Sequence, residues 1–368
     1  MSTYFFANPR RQPLTLTGGE GCYVTDETGH RYLDFVSGLG VNALGHNHPR
    51  LAEAMRGGPI HTSGLYAHAF AEPLARELCR MSGLDRALFT NSGTESTEAA
   101  LKLVRCYARP RNHIVAIAGG FHGRSRGGLS VTGQAPLREP FEPFSLPVTF
   151  VPPNDESALR AAFSSHTAGM IFEPILGEGG VIPLTESFQQ LARELCTQWD
   201  ALLIADECQT GLGRTGKCFA FQWAGIQPDI VTTAKPLAGG LPLGAVMFSH
   251  RVAERFPASG HASTFAGGPL ASRVALEFLQ EMEALLPRIA EMGEALRDAL
   301  SGHGNVRGRG LMLGLPLERL GDPIVAAARE VGLLINCTQS TVLRFLPPYI
   351  LGTQHVTEAA CILGQVIH

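Results

Sequence analysis

The stretch "GLGRTGKC", Gly211 to Cys218, satisfies two glycine-rich motifs at once. It fits G-x-G-x-x-G, the dinucleotide fingerprint. It also fits G-x-x-x-x-G-K, the phosphate loop of nucleotide hydrolases, with Cys218 where that loop needs Ser or Thr. The two motifs imply different folds, so the reading of these eight residues decides the architecture. A chain with 42 glycines among 368 residues makes such matches cheap, and the test is context: a strand before the loop and a helix after it. No strand immediately precedes Gly211, and the following "CFAFQWAGIQPD" carries aromatics without a long helical pattern. Both readings fail, and a phosphate site has to lie elsewhere.

Around this loop the chain alternates. From about Leu84, the short apolar runs "ALFT", "HIVAIA", "VTFV", "GMIFEPI", "ALLIADE", "DIVTTA" and "GAVMFS" are separated by helical stretches, the pattern of a largely parallel sheet covered on both faces. Before them, "CYVTD" and "RYLDF" around "ETGH" read as a half-buried hairpin. After about Phe265 come a long helical stretch to about Leu300, a strand "GLMLGL", a helix "PIVAAAREVG", a strand "TVLRFLP" and a closing helix, which suits a smaller α+β domain.

Composition narrows the function classes. Thirty Lys and Arg against 33 Asp and Glu give a net charge of −3, which offers no general attraction to nucleic acid or an anionic membrane, so the partner is expected to be small. "MSTYFFANPRRQPL" lacks the apolar core of a secretory leader, and no apolar run is long enough to span a bilayer, so a cytoplasmic protein is expected. The eight cysteines form no C-x-x-C pair and read as reduced, packed thiols. "GHNHP" sets His46 and His48 two apart with no acid nearby in sequence, and these read as polar loop residues, not metal ligands. Only three basic residues are lysines, Lys102, Lys217 and Lys235, so any amine chemistry falls to one of them.

Ligands on such sheets sit beyond the carboxyl ends of the strands. After "ALFT" comes "NSGTES" and then a helix, which places Ser92, Gly93 and Thr94 at a helix N-terminus suited to phosphate; plain capping by Ser or Thr is the alternative. After "HIVAIA", the loop "GGFHGRS" presents Phe121, His122 and Arg124, where an aromatic could stack on a flat ring or simply join the core. After "ALLIA" stand Asp206, Glu207, Cys208 and Gln209. An acid closing so apolar a strand is costly without a cationic partner, which marks Asp206; a helix cap or surface turn is the alternative. "DIVTTA" delivers Lys235 at a strand end, while Lys102 falls within a helix as a surface or structural charge.

A strand-end lysine, an acid for a ring nitrogen, an aromatic and a helix N-terminus are together what pyridoxal phosphate (PLP) requires. At this point the chain resembles the class III, ornithine-type aminotransferases along nearly its whole length. The resemblance runs from "LDFVSGLGVNALGHNHP" through "NSGTES", "FHGR", "EPILGEGG", "DECQTGLGRTG", "TTAKPLAGGLPLGA" and "STFAGGPLA" to "VRGRGLMLGL" and "LRFLPPY". It makes "GLGRTG" part of the family's own signature and implies the aspartate-aminotransferase-like fold type I, with a seven-stranded, mostly parallel large domain. The implied division is residues 1–45 contributing to the small domain, 46–265 as the large PLP-binding domain and 266–368 as the C-terminal small domain.

The resemblance further implies that Lys235 carries the cofactor and moves the proton, that Asp206 pairs with the pyridinium nitrogen, and that Gln209 meets the phenolic oxygen. Phe121 would stack on the ring, with Ser92, Glu207 and Cys208 also around the cofactor. Gly93 and Thr94 would bind the phosphate, and Ser263 and Thr264 would close the site from the other subunit of a homodimer. Arg124 and Arg344 match substrate-carboxylate binders, and Glu178 matches the glutamate that masks the second arginine in one half-reaction. Leu176 departs from the usual glutamine, and Cys208 from the usual Val or Ile. Within the family, "VNALGH", "NSGTES", "AKPLAGGLP" and "STFAG" are most similar to the acetylornithine-type members of arginine biosynthesis. This implies δ-amino transfer from N2-acetyl-L-ornithine to 2-oxoglutarate; succinylornithine, ornithine, 4-aminobutyrate and a carrier-linked lysine-pathway substrate are the alternative donors. A binding module on the same fold and a nucleotide hydrolase resting on "GLGRTGKC" are the rivals from other classes.

Overall fold

The computed structural model describes residues 12–367; the first eleven residues of the 1–45 segment, with most of the stretch read for a leader, lie outside the described residues. The N-terminal hairpin forms where the alternation predicts it. Strand β1 (Leu16–Glu20) pairs with β2 (Tyr23–Asp26), and β2 pairs antiparallel with β3 (Arg31–Asp34), Tyr23 standing opposite Leu33. Asp26 closes the turn by accepting the N–H groups of Thr28 and His30.

All seven predicted apolar runs become strands of one sheet: β4 (Arg86–Thr90), β5 (His113–Ile117), β6 (Val148–Val151), β7 (Thr167–Phe172), β8 (Leu202–Asp206), β9 (Ile230–Thr233) and β10 (Gly244–Phe248). Their order is β4-β10-β9-β8-β7-β5-β6, and only β10 runs antiparallel to its neighbours. The central strands are largely apolar because both faces are covered. Side chains alternate across the sheet, so Ile114, Ala116, Leu202 and Ile204 join one apolar cluster while Val115, Ile117, Leu203 and Ala205 join the other. Helix α2 (Gly93–Ala108) fills the first side with Ala100, Leu103, Val104 and Tyr107. On the second side lie α1 (Ala71–Ser82), α3 (Glu186–Gln198) and the 33-residue α4 (Pro269–Ser301).

The last third builds a second layer. Strands β11 (Arg307–Arg309), β12 (Met312–Pro316), β14 (Asn336–Thr338) and β15 (Val342–Phe345) form an antiparallel sheet ordered β11-β12-β15-β14, accompanied by helices α5 (Asp322–Glu330) and α6 (Thr353–Val366). Between them, β13 (Leu333–Leu334) leaves this layer and pairs parallel with β3, Leu333 opposite Leu33. Segments 300 positions apart therefore share a sheet. No described helix is long and apolar enough to cross a membrane.

The "GLGRTG" loop is a clasp between the two layers. The guanidinium of Arg214 is 1% exposed; it donates to the carbonyls of Leu311 and Pro347 at 3.0 and 2.5 Å and lies 4.6 Å over the Tyr349 ring. Leu311 N–H returns a bond to the Arg214 carbonyl at 3.0 Å, and the Tyr349 hydroxyl donates to the Leu212 carbonyl at 2.9 Å. Gly213 turns the loop at φ +95°, where a β-carbon would lie 2.8 Å from Met282 Cγ. Gly213→Ala is therefore expected to lower the thermal midpoint, with a loss of ~1–3 kcal/mol read in denaturant unfolding; an unchanged midpoint would remove the steric role assigned to this glycine.

Candidate active site

The functional side chains collect along the carboxyl edge of the large sheet. Strand β4 ends at Thr90, and Ser92 caps α2 in extended conformation, its hydroxyl accepting Glu95 N–H at 3.4 Å. The capping reading of Ser92 thus holds for its hydroxyl, while the first N–H groups of the helix, at Gly93 and Thr94, have no partner inside it. Gly93 admits no side chain: a β-carbon there would stand 2.9 Å from Cys208 Sγ. Thr94 is drawn to the loop after β5, with Oγ1 sharing a hydrogen with Ser125 Oγ at 2.5 Å and accepting Ser125 N–H at 3.1 Å. The loop can press this close because Gly123, at φ +112°, has no β-carbon to meet Thr94.

Asp206 closes β8, buried, and three groups meet its carboxylate. Oδ2 lies 2.7 Å from His122 Nδ1, and Oδ1 accepts the Thr232 hydroxyl at 3.0 Å and Cys208 N–H at 3.1 Å. Burial pushes the carboxyl up, yet the bond and charge of His122, with the Cys208 contacts, outweigh it and hold Asp206 below the usual carboxylate range. The strand thus ends in a buried negative charge. Burial pushes the Cys208 thiol well above its ordinary value, so it stays a neutral packing group.

Lys235 follows β9 at the start of a short 3-10 turn, with φ at +28°, a strained value for a residue with a side chain. The other two lysines are occupied: Lys217 donates to the Gln222 carbonyl and lies 4.3 Å over the Trp223 ring, and Lys102 lies 3.3 Å from His261.

Across the site, buried Arg344 on β15 donates to Glu178 at 2.7 Å, to Gln209 at 3.2 Å and to Asn336 at 3.3 Å. The expected arginine and glutamate are thus brought together, with Gln209 on the same guanidinium. Arg124 is exposed beyond Phe121, and Ser263 accepts from Asn91 at 2.7 Å next to exposed Thr264. The Glu207 carboxylate is directed away, into the clasp loop: it accepts the Thr210 hydroxyl at 2.6 Å and Phe221 N–H at 2.8 Å. The histidines of "GHNHP" do meet acids after all, because the fold delivers Asp34 2.9 Å from His46 and Glu281 3.9 Å from His48; the described residues contain no cluster that could hold a metal.

Two buried groups carried no assigned role in the sequence reading. His122 was noted only as a loop residue, and Glu173 stood unremarked inside "GMIFEPI", although an acid after an apolar strand is the same signal that marked Asp206.

These residues suit pyridoxal phosphate. A buried, ionised acid at a strand end fits a protonated ring nitrogen, the cradle at Gly93 leaves a helix N-terminus open to phosphate, and one lysine follows β9, the strand paired with β8. The model of the class-III aminotransferase family matches residues 5–367, and the chain belongs to that PLP-dependent family. It is 43% identical to the acetylornithine aminotransferase of Aquifex aeolicus over 99% of this chain and 100% of that one, and 40% identical to that of Methanocaldococcus jannaschii over 97% and 94%. Among solved structures, N-acetylornithine aminotransferase from Stenotrophomonas maltophilia matches at 34% identity and TM-score 0.85 over 97% and 96% of the two chains. Ornithine aminotransferase from Toxoplasma gondii matches at 30% and 0.94 over 99% and 92%. The chain is an enzyme of fold type I, and the nucleotide-hydrolase and binding-module alternatives fall away.

Burial pushes the Glu207 carboxyl up from its ordinary 4.5 to about 7 against the Thr210 and Phe221 bonds. Between those values the folded chain holds a proton that the unfolded chain has lost, so stability falls as pH rises through that window. Glu207→Gln is expected to flatten the fall in thermal midpoint between about pH 4.5 and 7; a slope equal to that of the wild type would show that Glu207 does not titrate there.

Proposed function

We propose that the protein transfers the terminal amino group of N2-acetyl-L-ornithine to 2-oxoglutarate, giving N-acetyl-L-glutamate 5-semialdehyde and L-glutamate, as a homodimer in cytoplasmic arginine biosynthesis. The observation that carries the reading is the 2.7 Å pair of buried Arg344 with Glu178. A guanidinium with a carboxylate over it offers no free site to a second acid, which favours a donor whose reacting end is an amine. If Glu178 turns aside, the same guanidinium takes the distal carboxylate of 2-oxoglutarate in the fork geometry that arginine provides. The choice of donor is supported by the relatives, named acetylornithine aminotransferase, that match over the whole chain.

The roles follow from the chemistry of the side chains. When bound, pyridoxal phosphate supplies an electron sink for the carbon that carries the amino group. Asp206, fixed by His122, Thr232 and Cys208, keeps a proton on the ring nitrogen, which makes that sink effective. Lys235 would hold the cofactor, and its amine, once released, would take and return the proton at the substrate carbon. Gln209 bonds the phenolic oxygen, Phe121 and Cys208 pack on the ring, and Gly93 and Thr94 hold the phosphate with their N–H groups. Arg124, exposed at the rim, binds the α-carboxylate of the donor.

The homodimer is supported by exposed apolar side chains beside the site. Ile60, Leu65, Tyr66 and Phe265 are between 68 and 87% exposed, and Phe265 lies in the segment that carries Ser263 and Thr264. A second copy covering this surface would bring its Ser263 and Thr264 to the phosphate end.

Lys235→Ala is expected to retain the fold by circular dichroism and lose amino transfer with every donor; retained turnover would move the reacting amine to another lysine. With the wild-type enzyme and 2-oxoglutarate, acetylornithine is expected to exceed ornithine and 4-aminobutyrate in kcat/KM by about tenfold or more, the range that one acyl group or methylene contributes. Preference for another donor would keep the chemistry and replace the substrate.

A further inference from the structure

Glu173 follows the last residue of β7 and is buried. Its carboxylate bridges two walls. Oε1 accepts Phe121 N–H at 2.9 Å, and Oε2 accepts Gly177 N–H at 3.2 Å, immediately before Glu178. One acid therefore ties the loop carrying Phe121 to the turn carrying the partner of Arg344.

It also faces a histidine. His122 spends Nδ1 on Asp206, while its Nε2 is buried with no hydrogen-bond partner among the described residues. A β-carbon at Gly120 would stand 3.3 Å from that Nε2 and 3.9 Å from Glu173 Oε1, so both groups border the space that the glycine leaves open. Three titratable groups, Glu173, His122 and Asp206, thus lie in series in the interior. The other groups that meet Glu173 are the two backbone donors.

We infer that Glu173 is a positioning residue for the amino-transfer reaction: by taking up or releasing one proton it sets the charge around the His122–Asp206 pair, and its backbone bonds align Phe121 with the Gly177–Glu178 turn. The inference rests on the reading of Asp206 as the partner of the ring nitrogen. Burial pushes the Glu173 carboxyl up from 4.5 to about 7, with Asp206 adding to the rise and His122 and the two N–H bonds opposing it. Ionised, Glu173 adds a second negative charge to the pair and strengthens its hold on a ring-nitrogen proton. Protonated, it withdraws that charge. As pH rises through neutrality, the site becomes more negative just where a ring nitrogen would otherwise surrender its proton, and the electron sink is preserved.

Glu173→Gln tests this. The amide removes the charge and sets an NH2 group against one of the two N–H donors. In the holoenzyme loaded with PLP labelled with 15N at the ring, the nitrogen shift of the variant at about pH 8 is expected to move toward the unprotonated value relative to the wild type. The kcat is expected to fall about tenfold, as small misplacements at a reacting centre do. Glu173→Asp, which keeps the charge, is expected to restore the nitrogen shift. Identical shifts in the wild type and Glu173→Gln overturn the inference. A wild-type ring nitrogen that is unprotonated throughout instead overturns the reading of Asp206, so the two failures are distinct. If Glu173→Gln does not accumulate as folded protein, the difference infrared spectrum of the wild type between about pH 6 and 8 decides. A protonated-carboxyl band that titrates there, is retained in Glu207→Gln and is displaced in frequency in Glu173→Asp supports the inference, and its absence overturns it.

Discussion

A buried charge at the end of an apolar strand is the constraint around which the site is arranged. Asp206 is the last of the five buried residues of β8, in a place where an isolated carboxylate is strongly disfavoured. The fold retains the charge by surrounding it with donors from different elements: His122 from the loop after β5, Thr232 from β9 and the backbone of Cys208. Those same elements carry the other site residues. Fixing the donors of one carboxylate therefore also fixes where Phe121, Gln209 and Lys235 emerge, which is the pre-organisation that polar active sites require.

Most of the large sheet was legible because its seven strands are apolar runs separated by turn-rich segments, and strands buried on both faces leave little else to read. The long α4 and the hairpin were legible for the same kind of reason, a period of 3.6 or 2 sustained over enough residues. Strands of two or three residues, such as β11 and β13, carry no period at all. They form because tertiary partners supply their hydrogen bonds, Leu33 for Leu333 and Leu313 for Gly308.

At the site, residue types spoke clearly where the chemistry is local. Asp206 and Lys235 stand at strand ends, and Ser92 sits where a cap belongs. Juxtapositions were less legible. Nothing in the spacing of Glu178 and Arg344 places them 2.7 Å apart across 166 positions; that pairing entered through family resemblance and is a product of the small sheet packing on the large one. Glu173 was overlooked because "GMIFEPI" reads as one apolar run, although its single acid cannot be buried without partners. Glu207 shows the converse: adjacency to Asp206 in the chain puts it on the opposite side of the strand direction, where it holds the clasp loop.

The pairing of β3 with β13 bears on how the molecule is made. Leu33 waits for Leu333, and at ~5–20 residues per second a ribosome needs roughly 15–60 s to deliver the missing strand. Arg214 waits similarly for Leu311 and Pro347. During that interval one edge of β3 has open backbone donors and acceptors, the kind of edge that recruits foreign strands. The open edge of β3 is therefore covered only by a strand made some 300 residues later.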